Sequence, residues 1–322
     1  MKKVYITRRI PEAGIKLLQK QKGFKVEVSP HDRVLSKKEI IKKAKGCDAL
    51  LSLLTDKIDG DILDGIGKQL KIVANYAVGF NNLDVKAAKK RKVMMSNAPG
   101  PEISQSVAEH AFGLLLSVAK RIPESDKYTR AGKYKGWAPM LFLGVDVHDK
   151  VLGIVGLGAI GRAVAHRAVK GMGMKVLYYD LKRDKAFEKK YGAKHASVKE
   201  LLKKSDFVTL HVPLLPSTKH LIGAKELNSM KKTAFLINTS RGPVIDEKAL
   251  VKALRAKKIA GAGLDVYEWE PKLAPGLAKL PNAVLTPHTA SASIETRSAM
   301  SVTAAKNIIA ALTGKKPPNL IK

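Results

Sequence analysis

The 322-residue chain holds a single cysteine, Cys47, so an internal disulfide is excluded. That scarcity fits a reducing cytosol, and a cytoplasmic location is the expectation. Cys47 stands between Gly46 and Asp48, ahead of Ala49-Leu50-Leu51, and reads as a small buried residue rather than a reactive thiol. Long apolar runs are missing too. None approaches the ~20 residues that span a bilayer, and the opening Met1-Lys2-Lys3-Val4-Tyr5-Ile6-Thr7-Arg8 returns to charge before a secretion signal could form. Acidic residues are few. Against 28 Asp and Glu stand 59 Lys and Arg, leaving a formal net charge of +31. Such an excess points to nucleic acid, an acidic membrane surface or anionic metabolites. The lysines are dispersed, however, mostly singly or in pairs. The densest run, Lys89-Lys90-Arg91-Lys92, follows a helical pattern at Val85-Lys86-Ala87-Ala88, where the helix dipole favours cations. The basic surface therefore reads as solvated and as drawing in anionic substrates, and nucleic acid is not the expected partner.

Short apolar runs alternate with lysine-rich helical patterns over the first hundred residues. Val4-Tyr5-Ile6, Lys25 to Val28, Ala49 to Leu53, Lys71 to Ala74 and Val93 to Met95 read as strands. Pro11 to Gln21 and Ser36 to Lys45 read as helices, the second opened by a Ser36–Glu39 capping box. Asn97-Ala98-Pro99-Gly100-Pro101 breaks the pattern. A long apolar helix is expected over Ser104 to Lys120. A second alternation begins at Lys150, with strands expected at Lys175 to Tyr179, Phe207 to Val212, Ala234 to Asn238, Ala262 to Val266 and Val284 to Thr286, and a final helix over Ile294 to Ala311. Strand–helix alternation implies parallel sheets. The reading is α/β: two Rossmann-like domains, with a dinucleotide-binding domain (101–288) inserted into a discontinuous substrate domain (1–100 and 289–322).

Gly156-Leu157-Gly158-Ala159-Ile160-Gly161 follows a strand and opens a helix, and Asp180 ends the next strand. This is the context in which a glycine loop cradles a pyrophosphate and a carboxylate binds the adenosine ribose. Taken alone, Asp180 has a bland alternative as a turn carboxylate at a strand end, and the ribose role is the favoured reading. Downstream lie Arg241 in Asn238-Thr239-Ser240-Arg241-Gly242, Glu270 in Asp265-Val266-Tyr267-Glu268-Trp269-Glu270-Pro271, and His288 in Thr286-Pro287-His288-Thr289. Each follows an expected strand, at the edge where open α/β sheets bind ligands. Singly they read as a surface arginine, a loop acid and a packed histidine. Jointly they supply what reduction of a 2-keto acid by a nicotinamide requires: a planar fork for the substrate carboxylate, a proton donor, and an anion that keeps the donor charged. His211, in Leu210-His211-Val212-Pro213, is expected to line the cofactor cleft, and Glu109-His110 to be structural. His31, His148, His166, His195 and His220 show no ligand spacing, and no metal site is expected.

These segments, in order and spacing, resemble the D-isomer-specific 2-hydroxyacid dehydrogenases over nearly the whole chain. The resemblance implies Arg241, Glu270 and His288 as the catalytic set. It implies Asp265 at the nicotinamide end. His211, Val212 and Pro213, at the end of an expected strand, are expected to bind the cofactor together with the Gly156–Gly161 loop. Ala77-Val78-Gly79-Phe80 is similar to the family loop whose Val78 and Gly79 N–H groups receive the substrate carboxylate. Asn75-Tyr76-Ala77-Val78-Gly79 and Trp137-x-Pro139 resemble the glyoxylate/hydroxypyruvate reductase branch. In that branch the tryptophan reaches the partner's active site across a homodimer. Ser106-Val107-Ala108-Glu109-His110 is similar instead to the phosphoglycerate and D-lactate branches, which stand as alternatives. A NAD-sensing, nucleic-acid-linked regulator is the alternative of another class, because the family includes corepressors. The implied cofactor is NAD, with NADH preferred and NADPH possible.

Overall fold

The computed structural model describes residues 1–321. The chain divides into two compact units, Met1–Ile103 with the chain from Ala292 onward, and Ser104–Ser291.

In the first unit β1 (Lys2–Ile6), α1 (Glu12–Gln19), β2 (Phe24–Val28), α2 (Lys37–Ala44), β3 (Ala49–Leu53), α3 (Gly60–Ile66), β4 (Ile72–Tyr76), α4 (Val85–Lys90) and β5 (Met94–Ser96) alternate in register with the apolar runs. Every strand pairing is parallel, in the order β2-β1-β3-β4-β5. β3 and β4 are buried on both faces, which explains their mostly apolar sequences, interrupted by Ser52 and Asn75. The Ser36–Glu39 capping box is present. The strand β4 delivers the chain to the Val78–Gly79 turn. There Val78 is exposed, and neither amide donates a hydrogen bond among the described residues.

The division falls inside α5 (Pro101–Ala119), which begins three residues earlier than the sequence pattern indicates. A proline in the first helical position loses nothing, because that N–H has no partner in any helix. There follow α6 (Ile122–Arg130), β6 (Val151–Val155), α7 (Ala159–Met172), β7 (Lys175–Tyr179), α8 (Lys185–Tyr191), β8 (Lys194–His195), α9 (Val198–Lys204), β9 (Phe207–Leu210), α10 (Ala224–Ser229), β10 (Phe235–Asn238), α11 (Glu247–Arg255), β11 (Gly261–Leu264) and β12 (Ala283–Leu285). α12 (Ile294–Leu312) closes the first unit against α1 and β4, where Ser301 Oγ accepts the Gly14 N–H at 3.0 Å. The second sheet is parallel throughout, in the order β12-β11-β10-β9-β6-β7-β8. Chain direction reverses its march across the sheet between β6 and β9. Doubly wound sheets bind their ligands at such a switch point, outside the carboxyl ends of the strands. Two apolar layers flank this sheet. One is built on Leu152, Ile154, Val164 and Phe235, the other on Val208, Leu236, Leu250 and Leu264.

Candidate active site

The glycine loop leaves β6 at Gly156, whose φ of +98° favours glycine. A Cβ there would lie 2.7 Å from the His211 carbonyl oxygen and 3.0 Å from Val212 Cγ1, so the loop rests on the exit of β9. α7 starts at Ala159 with Gly158 as its N-cap and no side chain capping it. The first amides of that helix, from Ala159, Ile160 and Gly161, thus remain open to an anion, with the positive end of the helix dipole behind them. A dinucleotide pyrophosphate fits this cradle. Asp180, just beyond β7, accepts the Leu157 N–H at 2.7 Å, which ties the carboxylate to the glycine loop. Around it stand Arg162, Lys182, Arg183, Asp184 and Lys185. Arg183 is paired with Glu188 and Arg162 with Asp184, each at 2.8 Å.

His211 bonds Thr209 Oγ1 through Nε2 at 2.9 Å. The residue keeps some exposed surface, but Nδ1 is enclosed and unpartnered. Burial pushes the imidazole pKa down to about 3. The same burial disfavours a charged ring. Pro213, next in this segment, is exposed and its carbonyl accepts Thr218 Oγ1 at 2.6 Å.

Arg241, Glu270 and His288 all leave the carboxyl side of β10, β11 and β12. Asn238 shapes the first loop. Its Oδ1 accepts Ser240 N–H at 3.0 Å and Ser240 Oγ at 2.8 Å, and its amide donates to the Arg241 carbonyl at 3.0 Å. The Arg241 guanidinium donates through Nη1 to the Ser240 carbonyl at 2.6 Å. It is partly buried and forms no ion pair within 4.0 Å among the described residues. Burial lowers its pKa against the opposing field of Glu270, and a guanidinium remains charged under such shifts. Its other donors have no partner among the described residues and are available to a ligand. Gly242 follows because nothing larger fits: a Cβ would stand 1.9 Å from the Tyr267 carbonyl group. The loop of Arg241 therefore packs backbone on backbone against the loop of Glu270.

Asp265, fully buried at the end of β11, organises the histidine loop. It accepts Thr286 Oγ1 at 2.6 Å, Thr289 N–H at 2.7 Å and Ala290 N–H at 2.8 Å, and its carbonyl accepts His288 N–H at 2.9 Å. Burial raises its carboxyl pKa, and His110 with these donors outweighs burial and holds it below the usual range. His288 itself sits at φ +56°, the left-handed region that non-glycine residues seldom occupy. Its Nδ1 lies 2.9 Å from Glu270 Oε2, while Glu270 Oε1 accepts Tyr267 N–H at 3.0 Å. With Nδ1 committed, Nε2 is the nitrogen left for a substrate; it has no partner among the described residues. Burial raises the Glu270 carboxyl pKa, but the His288 hydrogen bond and charge, Tyr267 N–H and Arg241 together bring it below the usual value.

Glu270, held ionised by these partners, sets a negative charge against the His288 ring, and removing that charge disfavours positive charge there. Glu270→Gln should therefore move the high-pH fall of kcat in keto-acid reduction to lower pH while leaving the protein folded. A kcat profile between pH 5 and 9 that overlays wild type would refute a functional Glu270–His288 pair.

The sequence expectation thus finds Arg241, Glu270, Asp265 and His288 gathered at one sheet edge, with the Gly156–Gly161 loop on the same edge. Glu109 instead forms an exposed ion pair with Arg167 at 2.7 Å. His110 reaches Thr286 Oγ1 at 2.9 Å and Asp265 at 3.4 Å, a contact that a helical pattern alone does not reveal. Val78 and Gly79 belong to the first unit. Trp137 is 85% exposed. Among the described residues no group of three or more His, Cys, Asp or Glu side chains could hold a metal ion.

Residues 112–290 match the family model described as D-isomer specific 2-hydroxyacid dehydrogenase, NAD binding domain. A glyoxylate reductase of Korarchaeum cryptofilum is 51% identical over 322 residues, covering 99% of this chain and 95% of the relative. A crystal structure of a Thermus thermophilus protein superposes with a TM-score of 0.93 at 40% identity, covering 99% of this chain and 100% of that one. An NADPH-dependent glyoxylate/hydroxypyruvate reductase of Sinorhizobium meliloti, solved with NADP and malonate, gives 0.85 at 27% identity, covering 99% and 96%. The chain belongs to the D-isomer specific 2-hydroxyacid dehydrogenase family.

Proposed function

We propose that the chain reduces glyoxylate and hydroxypyruvate to the 2-hydroxy acids, of D configuration where the carbon is chiral, with NADH preferred. The observation that carries this reading is the 2.9 Å His288–Glu270 pair with Nε2 free, beside an unpaired Arg241. When bound, a reduced nicotinamide supplies the hydride to the keto carbon. Arg241 clamps the substrate carboxylate with its planar fork. Protonated His288 gives its Nε2 proton to the keto oxygen, and Glu270 holds the ring in the right tautomer and charge state. The amides at the start of α7 hold the pyrophosphate, and Asp265 holds the His288 loop at the nicotinamide end.

A panel of keto acids assayed with both nicotinamides tests the reading. Glyoxylate and hydroxypyruvate should give the highest kcat/KM, ahead of pyruvate and of 3-phosphoglycerate in reverse. The Ser106–His110 segment that resembles the D-lactate and phosphoglycerate branches serves internal ties here. Ser106 Oγ donates to the Ala290 carbonyl at 2.9 Å and His110 braces Thr286. It gives no separate support to those substrates. A nucleic-acid-linked role would require DNA binding that discriminates sequence at physiological salt.

The preference for NADH rests on Asp180, whose carboxylate accepts from ribose hydroxyls and repels a 2′-phosphate. Lys182 and Lys185, unpaired among the described residues, soften the repulsion. A gap of about 1–3 kcal/mol between NADH and NADPH follows from one close like-charge pair near a surface. Asp180→Ser should narrow it, and should also cost some NADH activity because the Leu157 N–H loses its partner. Equal kcat/KM for the two cofactors in wild type, or no gain with NADPH in the variant, would remove Asp180 as the determinant.

A homodimer is part of the same reading. The segment from Ile122 to Val145 exposes Ile122, Tyr134, Trp137, Met140, Leu141, Leu143 and Val145, and α6 within it buries no residue. Apolar exposure concentrated in one segment marks an association surface. A second copy would cover it and bring Trp137 to the partner's substrate.

A further inference from the structure

Glu247 is 3% exposed, yet it is a carboxylate with no cation beside it among the described residues. It opens α11, one residue after the N-cap Asp246. Its partners are backbone amides of the loop that carries Glu270. Oε2 accepts Glu268 N–H at 2.6 Å, and Oε1 accepts Ala274 N–H at 2.7 Å. The contact is reciprocal, since Glu268 Oε2 accepts Glu247 N–H at 3.2 Å. Glu268 Oε1 in turn meets His220 Nε2 at 2.7 Å, and Lys248 stands 5.5 Å over the Trp269 ring. Two amides on either side of Glu270 are thus fastened to one buried carboxylate at the positive end of a helix. In a buried setting, the loss of an acceptor that holds two backbone N–H groups is costly.

We infer that Glu247 is a positioning residue for proton transfer: by clamping Glu268 and Ala274 it sets the height of Glu270 against His288. The inference rests on the proposed roles of Glu270 and His288. Glu247 touches neither residue. Its oxygens fix the backbone from which Glu270 projects, much as Asp265 fixes the loop of His288.

Glu247→Gln keeps the size of the side chain but offers one acceptor and an NH2 group, which faces an N–H and cannot pair with it. Its expected effect in glyoxylate reduction is a fall in kcat of roughly 10- to 100-fold, the scale of a misplacement near 1 Å. KM for glyoxylate and affinity for NADH should stay near wild type, and the high-pH limb of kcat should move to lower pH. His220→Gln, which removes only the outer contact to Glu268, should act in the same direction and more weakly. The deciding measurement is a double-mutant cycle with Glu270→Gln. If Glu247 works through Glu270, adding Glu247→Gln to Glu270→Gln should cost much less than it costs wild type. Additive losses, or an unshifted pH limb in Glu247→Gln, would overturn the inference alone. A wild-type chain without keto-acid-dependent NADH oxidation would overturn the underlying reading with it.

Discussion

His288→Ala lowers kcat for keto-acid reduction by about 10²–10⁴-fold, the usual contribution of a positioned general acid. The expectation comes from hydrogen-bond geometry. Nδ1 is engaged by Glu270 at 2.9 Å, so Nε2 alone faces outward, and alanine removes both nitrogens. KM should change far less, because carboxylate binding is assigned to Arg241. One complication is the backbone. Residue 288 sits at φ +56°, where alanine is strained and asparagine is tolerated. His288→Asn therefore serves as the companion variant, equally without an acid but better suited to the left-handed turn. Both should lose turnover alike, while any difference in Tm between them reports the backbone. Near-normal turnover in a folded variant would sink the assignment.

How much of this was legible beforehand differs between scaffold and site. Strands buried on both faces, such as β3 and β4, announce themselves as mostly apolar runs, and Lys175–Tyr179 falls where the sequence puts it. Boundaries shift where prolines intervene. The run expected to reach Val212 stops pairing at Leu210, shortly before Pro213, and α5 starts at Pro101 rather than Ser104. The short elements α8, α9, α10 and β8 escape notice because lysine-rich stretches of so few residues carry little periodicity. At the site, Arg241, Glu270 and His288 stand out because each follows a strand within a few residues and brings a chemically distinctive group. What holds them does not. Glu247 looks like an ordinary acid in the first turn of a helix, and the reason for Gly242 is the Tyr267 carbonyl, 25 residues away in sequence. His110 lies in a helix whose apolar pattern does not reveal its contacts with Thr286 and Asp265. Supports of this kind are made by contacts between distant segments, and spacing along one chain does not encode them.

Arg241→Lys should lower kcat/KM for glyoxylate by about 10- to 150-fold although the charge is retained. The guanidinium is anchored through Nη1 to the Ser240 carbonyl at 2.6 Å, which fixes the plane of the fork and aims its remaining donors. Lysine is a strongly hydrated point charge on a flexible stem, with neither that anchor nor a second parallel donor. Losing one charge-assisted hydrogen bond to the substrate costs about 1.5–3 kcal/mol, and 1.4 kcal/mol is tenfold, which sets the range. The loss should fall on both terms. KM rises because the carboxylate is held less tightly, and kcat falls because the keto carbon is no longer fixed against the hydride donor and His288 Nε2. The pH profile should keep its shape, since the Glu270–His288 pair remains in place, and this separates Arg241→Lys from Glu270→Gln. NADH affinity should also hold, because the glycine loop lies on the β6 side of the sheet. A lysine variant with wild-type kcat/KM for both glyoxylate and hydroxypyruvate would mean that the substrate carboxylate is held elsewhere.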